Sequence, residues 1–190
     1  MRDAYDAGMP SRVAQLLGVA SLAAVDRLRL GVAHSSSSPQ AIDETEAGAL
    51  VHLQAWPGTS VNELAGVVGR SQPATVRLID RCVDRGWVQR QAGRDRRTVA
   101  LVLTERGHER VNEILSARSE VLIGMLAVLS SEEQADLERV LGNVVARLAE
   151  DRAGAIRTCR LCDRDTCMSG PGCPMEHTMA AGAPRPQPRA

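Results

Sequence analysis

The period of the apolar pattern changes once along this chain, and that change limits the folds open to it. From Ser11 to Gly86, and again from Thr104 to Leu148, apolar residues recur at helical spacing. Only Trp87–Gln91 and Thr98–Leu103 alternate, on either side of a charged turn at Ala92–Arg97. A lone hairpin cannot stabilise itself in water, so the helices must supply the core and the hairpin must lean on them. The chain is 44% hydrophobic but has no Phe, one Tyr (Tyr5) and two Trp (Trp56, Trp87), so that core is built of Leu, Val, Ala and Ile. The expected class is mainly α with a small β-hairpin (α+β), and 190 residues suffice for one medium domain with an appendage.

Caps and breakers divide the helices. Ser11–Ala33 carries Val13, Leu16, Leu17, Ala20, Ala24, Leu28 and Val32 on one stripe, and the serine-rich stretch His34–Gln40 ends it. Asp43 with Glu46 has capping-box spacing and opens a helix that stops at Trp56-Pro57-Gly58. Ser60 with Glu63 opens a short one that ends near Gly69. Ser71-Gln72-Pro73 starts the next, with Ser71 as its cap and Ala74, Val76, Leu78, Ile79, Cys82 and Val83 expected inward. Thr104 caps a long helix with Val111, Leu115, Leu122, Met125 and Leu126 on one side. Ser130 and Glu133 cap a last one carrying Leu137, Val140, Leu141, Val144, Val145 and Leu148.

Charge is distributed as if one face were made for a polyanion. The net charge is zero, but residues 60–97 hold eight Arg against four acids and residues 104–153 hold six Arg against ten acids. All 23 basic residues are Arg, which reads as a codon bias and not as chemistry. Helix, short helix, tight turn, helix, hairpin is the order of a winged helix-turn-helix. Ser71, Gln72, Pro73, Thr75 and Arg77 then lie at the end of the recognition helix that enters a major groove, with Arg81 further along it and Ser60 at the start of the supporting helix. Gln can pair bidentately with adenine, and Arg with guanine or phosphate. The wing offers Arg94, Arg96 and Arg97 around Asp95, guanidinium groups suited to a narrow minor groove. The competing reading makes Arg77, Arg81, Arg85 and Arg90 a solvated helix face. Cys82, on the apolar side of its helix, reads as core.

The runs Ser60-Val-Asn-Glu-Leu-Ala65, Ser71-Gln-Pro-Ala-Thr-Val-Arg-Leu-Ile-Asp-Arg81, Arg85-Gly-Trp-Val88, Asp95-Arg-Arg97 and Leu101-Val-Leu-Thr104 arrive in register with one another. Together they resemble the MarR (multiple antibiotic resistance regulator) family, over about residues 11–152. The resemblance implies an obligate homodimer on a pseudo-palindromic double-stranded DNA operator, usually as a repressor released by a small ligand or by thiol oxidation. It also implies that Asp95 orients Arg97 while Arg94 reaches the minor groove. The implied ligand pocket lies between the dimer helices and the DNA-binding lobe, with Arg27, His52 and Trp56 as candidates to line it; core filling is the competing role of the last two. Independently, the long amphipathic helices at both ends need a partner for their apolar stripes, and a second copy supplies one.

The expected organisation is a flexible N-terminus (1–10) and a MarR-like domain (11–153). In that domain, dimerisation helices 11–33, 104–129 and 130–153 flank a winged helix-turn-helix at 43–103. A cysteine-rich segment (154–177) and a disordered tail (178–190) follow. The segment reads Cys159-x2-Cys162-x4-Cys167-x5-Cys173-Pro174. Four thiols in so short a stretch suit a zinc ion, since the start resembles a zinc knuckle. They also suit an iron–sulfur cluster: the Cys-Pro ending is similar to ferredoxin-like motifs and to SoxR-type redox regulators, whose central spacing is shorter. Free or disulfide-switching thiols are the third reading, and His177 could replace one cysteine. A rival function is a redox protein or electron carrier using Cys159 and Cys162, although no strand pattern surrounds that pair as thioredoxin-like chemistry requires. No catalytic constellation is visible, so no enzyme is expected. The longest apolar run, Val121–Leu129, is too short to span a membrane. The N-terminal apolar stretch continues as a helix through Asp26, Arg27 and Arg29, unlike a signal peptide, so a cytoplasmic, reducing setting is expected.

Overall fold

In the computed structural model, residues 11–35, 41–93 and 99–180 are described. Helix α1 (Arg12–Ala33) is capped by the Ser11 hydroxyl, and α2 (Glu44–Ala55) by the Asp43 carboxylate, which accepts the Glu46 N–H. Then come α3 (Val61–Val68), α4 (Gln72–Asp84) and a hairpin of β1 (Val88–Ala92) and β2 (Val99–Leu103). Two long helices follow, α5 (Glu105–Leu126) and α6 (Ser131–Val145), and the chain continues as α7 (Arg152–Thr158), α8 (Arg164–Met168) and α9 (Glu176–Ala180).

Capping chemistry sets most of these boundaries. Ser60/Glu63 and Ser130/Glu133 form complete capping boxes, each satisfying two N–H groups that the first turn leaves bare. The Asp43/Glu46 pair forms only half of one, because the Glu46 carboxylate points elsewhere. Gly69 ends α3 in the left-handed region (φ 64°), where a side chain would be strained.

The antiparallel hairpin pairs Val88 with Leu103 and Ala92 with Val99, so the alternation found in the sequence sends Val88, Leu101 and Leu103 inward. A short extra rung was not foreseen: Leu101 exchanges backbone hydrogen bonds with the Gly58–Thr59 corner after α2. The core joins Leu50 and Leu53 of α2, Leu64 of α3, Ile79 and Cys82 of α4, Leu101 of β2, and Val111 and Ile114 of α5. Gly107 lets α5 meet the hairpin, since a Cβ there would lie 2.0 Å from the Trp87 carbonyl oxygen.

Two expectations change. The last domain helix stops at Val145, and Asp151 caps a new helix at Arg152, so the expected 130–153 span is broken. The expected disordered tail, 178–190, overlaps α9, which includes Thr178 to Ala180; the cysteine segment before it packs through α7 on α3 and α9, with Ala155 and Met175 fully buried. Residues 1–10 and 181–190 lie outside the described residues.

Long apolar faces stay uncovered. Leu22 of α1 is 70% exposed and Ile123 of α5 is 66% exposed, while α6 buries none of its residues. No single described helix is long and apolar enough to cross a membrane; α5 and α6 reach that composition only as a pair bent by 117°.

Candidate nucleic-acid interface and cysteine cluster

Helix α4 has two distinct faces. Thr75, Leu78, Ile79 and Cys82 are buried, whereas Ser71, Gln72, Pro73, Val76, Arg77 and Asp80 are exposed. Thr75 therefore cannot serve as the base-reading side chain expected of it: it is fully buried, and its hydroxyl donates to the Ser71 carbonyl at 3.1 Å. Val76, expected inward, takes the outward position. The Ser71 side chain makes no capping hydrogen bond, and Pro73 in the first turn supplies the helical start instead. Ser60, expected at the DNA, is engaged with Glu63: its hydroxyl accepts the Glu63 N–H and donates to the carboxylate. The Ser60 N–H above all, then its hydroxyl, donates to that carboxylate and holds the Glu63 carboxyl below the usual range.

The long-range partner that fixes α4 is Glu46, which the sequence presented only as a cap. Its carboxylate, almost fully buried, accepts Arg81 Nε at 2.8 Å and an Arg85 guanidinium N–H at 2.9 Å. Arg85 also lies over the Trp87 ring, 5.0 Å from its centre. Arg81, expected to contact DNA, thus ties α4 to α2, and Arg90 pairs with Asp80 at 2.6 Å. Arg77, the other arginine of α4, is exposed. Cys82 sits in the core, where burial and the nearby Glu46 charge push its thiol up to about 12. The wing residues Arg94, Asp95, Arg96 and Arg97 lie outside the described residues.

The C-terminal segment docks on the opposite side of α2 and α3. Arg160 pairs with Glu44, which also accepts Arg29 at 3.2 Å; burial raises that carboxyl, but the two arginines outweigh it and hold it below its usual range. Arg164 lies over Trp56, 5.8 Å from the ring centre, and Trp56 stacks on His52 at 4.7 Å. His52 is buried. The Thr59 hydroxyl donates to the Trp56 carbonyl at 2.7 Å, so its contact with His52 Nε2 at 3.3 Å needs the proton on Nε2. Nδ1 is left without a partner, and burial pulls the imidazole down to about 4.

Cys159, Cys162, Cys167 and Cys173 all line one small cavity of about 30 Å³ floored by His52 and Trp56. Two of the three expected pocket residues are therefore brought together, with the thiols, while Arg27 lies exposed on α1 outside this cavity. His177 does not line it either. Burial, then the neighbouring thiols, pushes Cys159 up to about 11 and Cys162 up to about 12. Burial also raises Cys173, against the opposing effect of the Met175 N–H that donates to its sulfur. Among the described residues, no three His, Cys, Asp or Glu side chains surround a common point as metal ligands. A reactive Cys-x2-Cys pair has a lowered pKa and commonly opens a helix. Here Cys159 closes α7, and both thiols are raised, which is the opposite arrangement.

The exposed face of α4, held from behind and followed by a hairpin, defines a winged helix-turn-helix protein. Residues 42–99 match the model of the MarR family. It is 34% identical over 112 residues to the transcriptional repressor MprA of Escherichia coli K12, an alignment spanning 57% of this chain and 64% of that protein. The chain thus spans just under two thirds of the curated relative. Its fold is shared with apo MarR from E. coli (TM-score 0.58, 22% identity, 72% of this chain and 98% of the other). It is shared also with RV1404 from Mycobacterium tuberculosis (0.64, 23%, 75% and 97%). A MarR family protein from Bacillus stearothermophilus is similar at 26% identity (0.60, 70% and 89%).

Proposed function

We propose that this chain is a DNA-binding transcriptional regulator that acts as a homodimer on a pseudo-palindromic operator, as a repressor. The observation that carries this reading is the two-faced α4: its inner face is locked by the core and by Glu46, and its first two turns present Gln72, Pro73 and Arg77 to solvent. A rigid helix with a polar, cationic N-terminal face is what a major groove accepts. MprA, the relative described above, is named a transcriptional repressor, which supports the sign of regulation. The uncovered apolar faces of α1, α5 and α6 support pairing with a second copy, which would set two α4 helices about one duplex turn apart. Release by a small ligand, or by a change at the C-terminal cysteines, completes the reading.

The test is operator selection from random duplexes, followed by binding measured against salt. Specific binding that weakens steeply with salt is expected. Gln72→Ala should relax base preference more than it lowers non-specific affinity, whereas Arg97→Ala should weaken binding to all sequences. Equal losses on specific and non-specific DNA for both variants would show that α4 is not the reading element.

A further inference from the structure

The C-terminal helices pose a stability problem that the winged helix does not solve. α7, α8 and α9 have 7, 5 and 5 residues. Isolated helices shorter than about 12 residues are marginal in water. Their shared core is small: among the described residues of the segment only Ala155 and Met175 are buried. What the segment has in abundance is sulfur gathered in one place. Cys159 closes α7. Cys162 ends a tight turn in which its N–H donates to the Cys159 carbonyl at 2.8 Å. Cys167 comes from α8, whose start the Asp163 carboxylate caps. Cys173 follows Gly172, whose φ of 100° turns the chain back as few other residues could. Three separate pieces of backbone thus deliver four thiols to the wall of one cavity.

We propose that Cys159, Cys162, Cys167 and Cys173 form a four-thiolate site for one thiophilic divalent cation of the zinc class, and that the ion fastens α7, α8 and the turn before α9 to one another. Four thiolates are the complete ligand set of a tetrahedral structural zinc, and all four side chains border the same small cavity. Closing the ligand set takes side-chain rotation, because the thiols do not yet surround one point. The contacts given up are slight: Cys159 Sγ to Met175 Sδ at 3.9 Å and Cys162 Sγ to the Asp163 carbonyl at 3.5 Å. Each thiol releases its proton to solvent as it binds, and the metal supplies folding energy that the short helices lack. The clamp reaches the DNA-binding lobe through contacts already in place: Arg160 to Glu44, Arg164 over Trp56, and α7 against α3. Cys82, buried in the core, takes no part.

The site is tested on the full reduced chain, freed of metal, by titration with cobalt(II) and zinc in the absence of DNA, so failure of the DNA-binding reading leaves the outcome untouched. One cobalt per chain is expected, with the thiolate charge-transfer and tetrahedral ligand-field bands, displaced by one zinc. Replacing all four cysteines by Ser should abolish those bands, and Cys82→Ser should leave them. Cys173→Ser, at the far end of the segment, should weaken binding at least about 100-fold, since loss of even an outer-shell partner costs 10- to 100-fold. Its circular dichroism checks that the lobe remains folded. Zinc should slow amide exchange in α7–α9 in the wild-type chain alone. Three results would overturn the proposal: no thiolate bands, bands that persist in the four-serine variant, or anaerobic uptake of iron and sulfide that zinc does not displace.

Discussion

Replacing Glu46 by Gln removes one charge from the least exposed carboxylate of the helix-turn-helix while keeping its shape. In the wild type that carboxylate accepts two charge-assisted hydrogen bonds, from Arg81 and Arg85, at 2.8 and 2.9 Å. Each such bond contributes about 1.5–3 kcal/mol. Breaking a fully buried pair costs about 3–5 kcal/mol, chiefly through the charge left stranded. Neither arginine would be stranded here, because their side chains are 48% and 24% exposed and can turn back to water. We therefore expect Glu46→Gln to cost about 2–3 kcal/mol, below the buried-pair figure. For a chain of this length that is a fall of about 5–10 °C in Tm. Urea denaturation of Glu46→Gln, Arg81→Ala and the double variant gives the coupling directly. The same variants separate two roles of Arg81. If it holds α4 in place, Arg81→Ala lowers stability and leaves the salt slope of DNA binding unchanged; a phosphate contact would reduce that slope by about one. A loss under about 0.5 kcal/mol for Glu46→Gln would refute the argument, since surface substitutions fall in that range.

Gly107→Ala should cost at least about 2 kcal/mol, because its Cβ would meet a backbone oxygen that cannot rotate aside; a wild-type denaturation midpoint would contradict the packing of α5 on the hairpin. His52 titrates near 4 when folded and near 6.5 when unfolded, so the unfolded chain binds the extra proton between those values. Its contribution is complete above pH 6.5 and declines as pH falls toward 4, by up to about 3 kcal/mol. Denaturation across that range should show a steeper slope in the wild type than in His52→Gln, in which only carboxylates such as Glu44 and Glu63 still titrate at its acid end. Light scattering should find a dimer, and Leu22→Asp or Leu141→Asp should weaken it at least tenfold, equivalent to about 1.4 kcal/mol. A monomeric wild type would instead leave the apolar faces of α1 and α6 without the partner assigned to them.

Local chemistry was legible in the sequence because it acts over three or four residues. Ser60 with Glu63, Ser130 with Glu133 and the alternation of Val99 to Leu103 each act within one turn or one strand. Their geometry follows from spacing alone. Thr75 and Val76 exchanged places because adjacent helical positions differ by only 100°, and a hydroxyl that bonds the carbonyl four residues back can be buried as readily as a methyl group. Glu46 was misread for a different reason. The spacing from Asp43 is that of a capping box, and nothing within one turn shows that two arginines 35 and 39 residues away compete for the carboxylate. The cysteine segment shows the same limit at larger scale. Its spacing identified four thiols as one unit, but Arg160 and Glu44, which dock that unit, lie 116 residues apart. Ion pairs of that range have no period to be recognised by. They arise only after the core has placed both helices, so the elements of this lobe were readable in advance and the ties between them were not.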